Sequence, residues 1–175
     1  ADLVKRYTNY VRKEGFKVLP PDINKSRTEF RVEDGNTRFG LGGLKNVGTN
    51  VVDQIITERE KNGLFKSFED FISRMTPYGI INKRTVESLI LSGAFDQFGV
   101  YRSQLMAVYT LVMDRANHDK KSKANGQTSI FDVFEAETQS VNTVEYPKIK
   151  EFNKETLLKY EKEIVGIYLS GHPLD

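Results

Sequence analysis

The chain has 175 residues, 38% of them hydrophobic and 29% charged, with a net charge of +2 at pH 7. That is enough apolar sequence for one domain, or two small ones, with a real core, and too little excess charge for a bulk polycation, so any contact with nucleic acid has to be local. No apolar run approaches the roughly 20 residues of a membrane span, and the absence of cysteine excludes a disulfide scaffold and a thiolate metal site.

Residues 2–13 place Leu3, Val4, Tyr7, Tyr10 and Val11 at helical spacing, with Lys5, Arg6, Arg12 and Lys13 between them, and Gly15 ends that helix. Phe16 to Leu19 is a short strand candidate stopped by Pro20-Pro21. Residues 28–33 and 37–41 alternate polar and apolar around Asp34-Gly35-Asn36, which predicts a β-hairpin.

Leu41-Gly42-Gly43-Leu44-Lys45-Asn46-Val47-Gly48-Thr49-Asn50 follows, running into a stripe of Val51, Val52, Ile55 and Ile56. The pattern predicts a tight turn opening directly into a helix that continues to Arg59. Gly48 is expected to take a positive φ without penalty, and Asn46 tolerates the left-handed region. Leu44 and Val47 would anchor the turn while the amides of Gly48, Thr49 and Asn50 stay free at the positive end of the helix dipole. That is an anion site, with Lys45 as a mobile counter-charge. The pattern resembles the helix-hairpin-helix motif, which grips DNA by its backbone; Asn46 stands where that motif usually carries a glycine. A plainer reading stays open, in which Gly48 is an ordinary helix-start glycine and Thr49 the N-cap.

Farther on, Ser67 starts a short helix in a capping-box-like arrangement with Asp70 and with Phe68, Phe71 and Ile72 inward. Asn82 caps the next, which buries Val86, Leu89 and Ile90 and stops at Ser92-Gly93. Gly93-Ala94-Phe95-Asp96-Gln97-Phe98-Gly99 reads as a second hairpin, opening into a helix from Arg102 to Ala116 with Leu105, Val108, Tyr109, Val112 and Met113 inward. One hairpin unit is too small to bury its own face, so a tandem pair is the stable form expected. Phe95 and Phe98 fit the core better than they fit base stacking. From Asn117 to Gly126 the sequence turns polar and lysine-rich, predicting a mobile loop in which His118 is a solvated residue. Gln127-Thr128-Ser129-Ile130-Phe131 is a short apolar patch stranded after it, of the kind that docks on a partner. The alternative is that Ile130, Phe131, Val133 and Phe134 fold back as a satellite cluster. Residues 141–149 look extended, and residues 154–165 are helical with Leu157, Leu158, Ile164 and Val165 apolar; His172 sits in a Gly-His-Pro turn.

Several phrases match one family in order: Val18-Leu19-Pro20-Pro21-Asp22-Ile23-Asn24, Arg38 to Gly48, Phe65 to Phe71, Asn82-Lys83-Arg84, Ser92-Gly93-Ala94-Phe95-Asp96, and Tyr168 to Asp175. Across nearly its whole length the chain resembles the bacterial replicative DNA polymerase III alpha subunits of the shorter type that lacks a built-in exonuclease. The resemblance implies a mainly α fold, a tandem helix-hairpin-helix domain with a small N-terminal β-ribbon. It divides the chain into the end of the fingers region with its β-hairpin (1–42), the tandem domain (43–117), a mobile loop with a clamp-binding-like motif (118–147), and a helix (148–175) leading to an oligonucleotide-binding barrel that is not included. The tandem domain would hold primer-template duplex at Lys45, Asn46, Val47, Gly48, Thr49 and Asn50 and at Gly93 and Ala94. Gln127, Ile130 and Phe131 are similar to the pentapeptide by which such polymerases bind the sliding clamp. Other replisome subunits, a cytoplasmic setting and no membrane complete the implied context.

Two-metal phosphoryl transfer needs closely placed aspartates, usually an Asp-x-Asp pair, and no such pair occurs. No cofactor or catalytic residue is therefore expected within these residues; Mg2+ is implied only for an intact polymerase. Two other readings remain, a stand-alone helix-hairpin-helix repair module and a helical domain that binds only proteins. Phosphate binding weakens steeply with salt and apolar docking barely responds.

Overall fold

The computed structural model describes residues 18–124 and 144–165. The helix expected at residues 2–13, the pentapeptide Gln127 to Phe131 and the stretch from Tyr168 to Asp175 lie outside the described residues.

Asp34 and Gly35 both take positive φ, 48° and 82°, the geometry that an Asp-Gly hairpin turn demands. The turn joins β2 (Arg31–Glu33) to β3 (Asn36–Arg38), which pair antiparallel with Val32 opposite Thr37. The short strand expected at Phe16 to Leu19 is present among the described residues as β1 (Val18–Leu19), and it runs parallel to β3, giving the order β1-β3-β2. β3 ends sooner than its alternation suggests because the next amides turn elsewhere, Phe39 to Leu19 O, Leu41 to Arg27 O and Gly42 to Thr28 O. That path presses the backbones together; a Cβ on Gly40 would lie 2.5 Å from the backbone of Glu29.

Five α-helices occur among the described residues: α1 (Thr49–Asn62), α2 (Phe68–Met75), α3 (Lys83–Ser92), α4 (Arg102–Ala124) and α5 (Lys154–Val165). The capping residues work as the sequence suggests. Ser67 Oγ accepts from the Asp70 amide at 3.0 Å and Asn82 Oδ1 from the Thr85 amide at 2.9 Å. α3 ends on Gly93, at φ 92°, with the Gly93 and Ala94 amides returned to Ile90 O and Leu89 O. Residues 117–124 are helical, where a loop was expected. No glycine or proline interrupts them, and once a helix is nucleated each further residue adds a hydrogen bond. Lys120 Nζ, in that extension, reaches Thr76 O at 3.4 Å.

The core gathers Phe39, Phe68, Phe71, Phe95, Ile55, Ile72, Leu89 and Leu105, all fully buried. Phe95 is its centre, edge-on to Phe68 and Phe71 at 5.1 Å each. Phe98 is half-buried and stacks on Phe95 at 6.1 Å. The loop Asp22-Ile23-Asn24 ties distant parts to this core. Asn24 exchanges two hydrogen bonds with Phe65, Ile23 donates its amide to Ala94 O and accepts from Arg59 Nη1, and Asp22 Oδ1 accepts from Gln97. Phe95→Ala is expected to cost about 3–5 kcal/mol, read as a lower denaturant midpoint at unchanged slope; a loss below about 1 kcal/mol would take Phe95 out of the core.

Candidate nucleic-acid interface

Residues 41–43 form a single 3-10 turn, after which Leu44 is extended and Asn46 takes φ 66°. Asn46 carries the left-handed geometry that was expected at Gly48; Gly48 itself is extended at φ −73° and is the N-cap of α1, so Thr49 is the first helical residue and not the cap. Asn46 holds its place through its surroundings: its carbonyl accepts from Thr85 Oγ1 at 2.9 Å, and its Nδ2 donates to Ser88 Oγ at 3.2 Å. Those bonds set the hairpin on α3, and buried Leu44 and Val47 anchor it beneath.

Five of the six expected contact residues of the first hairpin, Asn46 aside, therefore fall into two groups by their amides. The Lys45 and Val47 amides are engaged, with Ile164 O at 3.0 Å and Leu44 O at 3.4 Å. The amides of Gly48, Thr49 and Asn50 have no partner among the described residues, and the first helix-internal bond that Gly48 supports is to Val52. Gly48, Thr49 and Asn50 are exposed, as is Lys45; a Cβ on Gly48 would meet nothing within 4 Å, and the first turn of α1 carries no acid. Lys83 and Arg84, also exposed, occupy the first turn of α3, next to the Thr85 that holds Asn46. Cations at a helix start oppose the dipole unless an anion lies beside them.

The second hairpin is closed. Gly93 and Ala94 are buried and both amides are spent in the cap of α3, so neither is open to a phosphate. At the start of α4 the carboxylate of Glu151 lies across the Arg102 and Ser103 amides at 2.9 and 3.0 Å, and Gln104 Oε1 accepts from Tyr101 N. A carboxylate there supplies the charge and the acceptors that a phosphate would bring. Gln104, three residues after Tyr101, is a capping signal visible in sequence; Glu151, 48 residues beyond Ser103, is not.

Behind this hairpin lies a charge cluster that sequence reading missed, with Arg102 and Glu161 buried and Asp96 at its exposed edge. Arg102 Nε and Nη2 grip both oxygens of Asp96 at 3.1 and 2.8 Å, while Nη1 reaches Glu161 Oε1 at 2.8 Å and Leu91 O. Burial alone would lower the pKa of Arg102, but the two carboxylates outweigh it and hold the guanidinium firmly protonated. A second cluster surrounds Glu58, which pairs with Arg74 at 2.9 Å and accepts from Tyr78 and Asn62. Burial would raise that carboxyl; these hydrogen bonds more than offset it and set it below its ordinary value. Among the described residues no cluster of three or more His, Asp or Glu is placed to hold a metal ion, and no helix is long and apolar enough to cross a membrane.

The two hairpin glycines should respond oppositely to a methyl group. At Gly93 a Cβ would stand 2.5 Å from Arg102 Nη2, on a guanidinium pinned by two carboxylates, at a φ of 92°. Gly93→Ala is expected to cost about 2 kcal/mol or more, and Gly48→Ala less than about 1 kcal/mol, in urea unfolding of both variants; the reverse ranking would contradict the two environments described.

Comparison with known protein families matches residues 15–105 to the helix-hairpin-helix motif. The chain is 43% identical to the DNA polymerase III subunit alpha of Borreliella burgdorferi and 39% identical to that of Thermus aquaticus, each over 99% of its own length. The Escherichia coli subunit is 36% identical over 92% of the chain. It spans only 15%, 14% and 14% of those relatives, respectively. With more than half of its residues matched, this chain belongs to the helix-hairpin-helix family, and along nearly all its length it is similar to one segment of bacterial DNA polymerase III alpha subunits.

Proposed function

We propose that this chain is the part of a bacterial replicative DNA polymerase that holds duplex DNA by its phosphate backbone and tethers the enzyme to its sliding clamp. The longer protein would be a DNA-directed DNA polymerase using Mg2+ at aspartates outside these residues, working in the cytoplasm with other replisome subunits.

One observation carries the DNA reading: in a chain of the helix-hairpin-helix family, the first hairpin leaves the Gly48, Thr49 and Asn50 amides exposed and unpartnered at a helix start. Backbone donors of this kind suit phosphate oxygens and carry no base code. Exposed Lys45 in the hairpin and exposed Lys83 and Arg84 in the first turn of α3 supply positive charge, and no acid in the first turn of α1 opposes an anion. Gly93 and Ala94 drop out of the proposed contacts because their amides are used internally.

The test follows from Gly48, whose extended backbone accepts a β-branched residue and whose Cβ would enter open space. Gly48→Val should fold and should weaken duplex binding equally for every DNA sequence. Lys45→Ala should lower the log-log salt slope by about 0.9, the value of one neutralised phosphate. Salt-titrated binding curves measure both; a Gly48→Val variant that binds duplex as well as the parent at low salt would remove the site, and binding indifferent to salt would favour a protein partner instead.

The clamp reading rests on sequence, since Gln127, Ile130 and Phe131 lie outside the described residues. Ile130 and Phe131 would fill an apolar pocket on the clamp and Gln127 would hydrogen-bond at its rim. Replacing Ile130 and Phe131 together by alanine should cost about 2 kcal/mol or more of clamp affinity while leaving melting temperature and DNA binding in place. A large fall in melting temperature with clamp affinity intact would assign these side chains to the core.

A further inference from the structure

α5 touches both hairpins, the second through the Glu161 side chain and the first through a backbone carbonyl of its last turn. Glu161 reaches the start of α4 through Arg102 at 2.8 Å, and the carbonyl of Ile164 accepts from the Lys45 amide in the first hairpin at 3.0 Å. The same helix packs on α3, the element to which Asn46 is bonded. The turn that leaves Gly48, Thr49 and Asn50 open is thus held from two sides, by α3 at Asn46 and by α5 at Lys45.

What keeps α5 docked is unusual. Its buried side chains are Leu158, Glu161 and Val165, so a fully buried carboxylate stands between two apolar anchors. A buried carboxylate is tolerated only when paired and hydrogen-bonded, and breaking the pair is far costlier than never having made it. Arg102 supplies that pairing, with its other edge held by Asp96.

We propose that α5 is a brace that holds the first hairpin in its phosphate-binding shape, with Glu161 as the positioning residue. This rests on the DNA reading given above. Glu161 touches no DNA; it secures α5, which through Ile164 O fixes the Lys45 backbone. When α5 is loosened, the hairpin spends less time in the competent shape, and apparent affinity falls by that fraction while the number of phosphates contacted stays the same.

The experiment combines salt-titrated duplex binding with amide hydrogen exchange on the 175-residue chain, comparing the parent with Glu161→Gln, Arg102→Lys and Leu158→Ala. Lysine at 102 reaches one carboxylate and not both, and Leu158→Ala loosens α5 without altering charge. Each variant is expected to bind duplex about threefold or more weakly with an unchanged salt slope, and to exchange the Lys45 amide faster while the Ile55 amide in α1 keeps its protection. Saturating duplex should slow Lys45 exchange in the parent, since coupling between the two events is reciprocal. Variants that match the parent in affinity and in Lys45 exchange overturn the brace, and an equal loss of protection at Ile55 overturns the positioning role by making Glu161 a residue of global stability. If the parent does not bind duplex at low salt, the DNA reading fails separately, and the exchange of Lys45 still decides whether α5 holds the hairpin.

Discussion

An α-helix begins with amides that have no partner inside the helix, and the way this chain disposes of them organises both its fold and its candidate site. α2 and α3 use local side chains, Ser67 and Asn82, and α5 uses Asn153, whose Oδ1 accepts from the Thr156 amide at 2.8 Å. α4 is capped from far away, by Glu151, and in being capped it draws the segment after residue 144 onto the helical core. Ser103 Oγ on Lys150 O, Gln104 on Pro147 O, and Tyr146 on Glu69 continue that seam. α1 is the exception among the described helices. Its opening amides point to solvent with a glycine cap, no side-chain acceptor and no acid in the turn, an arrangement that costs stability unless water or an anion completes it.

The two hairpins thereby diverge in character although they sit in one motif. The first keeps its polar groups outward and secures its turn by side-chain bonds from Asn46 to α3. An asparagine serves where a glycine is usual because Thr85 and Ser88 occupy its polar groups while it sits at φ 66°, a region asparagine enters more readily than other residues with a Cβ. The second turns its polar groups inward, where Gly93 leaves room for Arg102 and Arg102 joins Asp96 to Glu161. One hairpin leaves the opening amides of α1 without a partner among the described residues, and the other is a junction that fastens the chain's later segment.

α5 belongs to this junction. Val144, Leu158 and Val165 are buried, Tyr146 packs against the same core, and α5 lies on α3, so residues 144–165 complete the packing of the helical unit instead of forming a separate arm. The Lys45 amide bonded to Ile164 O brings the last turn of the described chain against the first hairpin.

Much of the local structure was written in the sequence by itself. Asp34-Gly35, Ser67, Asn82 and Gly93 act through bonds to residues within a few positions, and the apolar stripes of α1 to α4 follow helical periodicity, so turns, caps and buried faces could be read directly; the bounds of α5 fell where expected. The short Pro-Pro-Asp-Ile-Asn phrase was recognisable, but not its task, because Asn24 and Phe65 meet across 41 positions. Tertiary structure alone decided which hairpin stays open. Free amides at α1 and occupied ones at α4 look alike in sequence, since the occupant, Glu151, arrives from a distant segment, and the buried partners Arg102 and Glu161 lie 59 positions apart. Local pattern fixes what a helix end needs; only the folded chain determines whether a neighbour already supplies it.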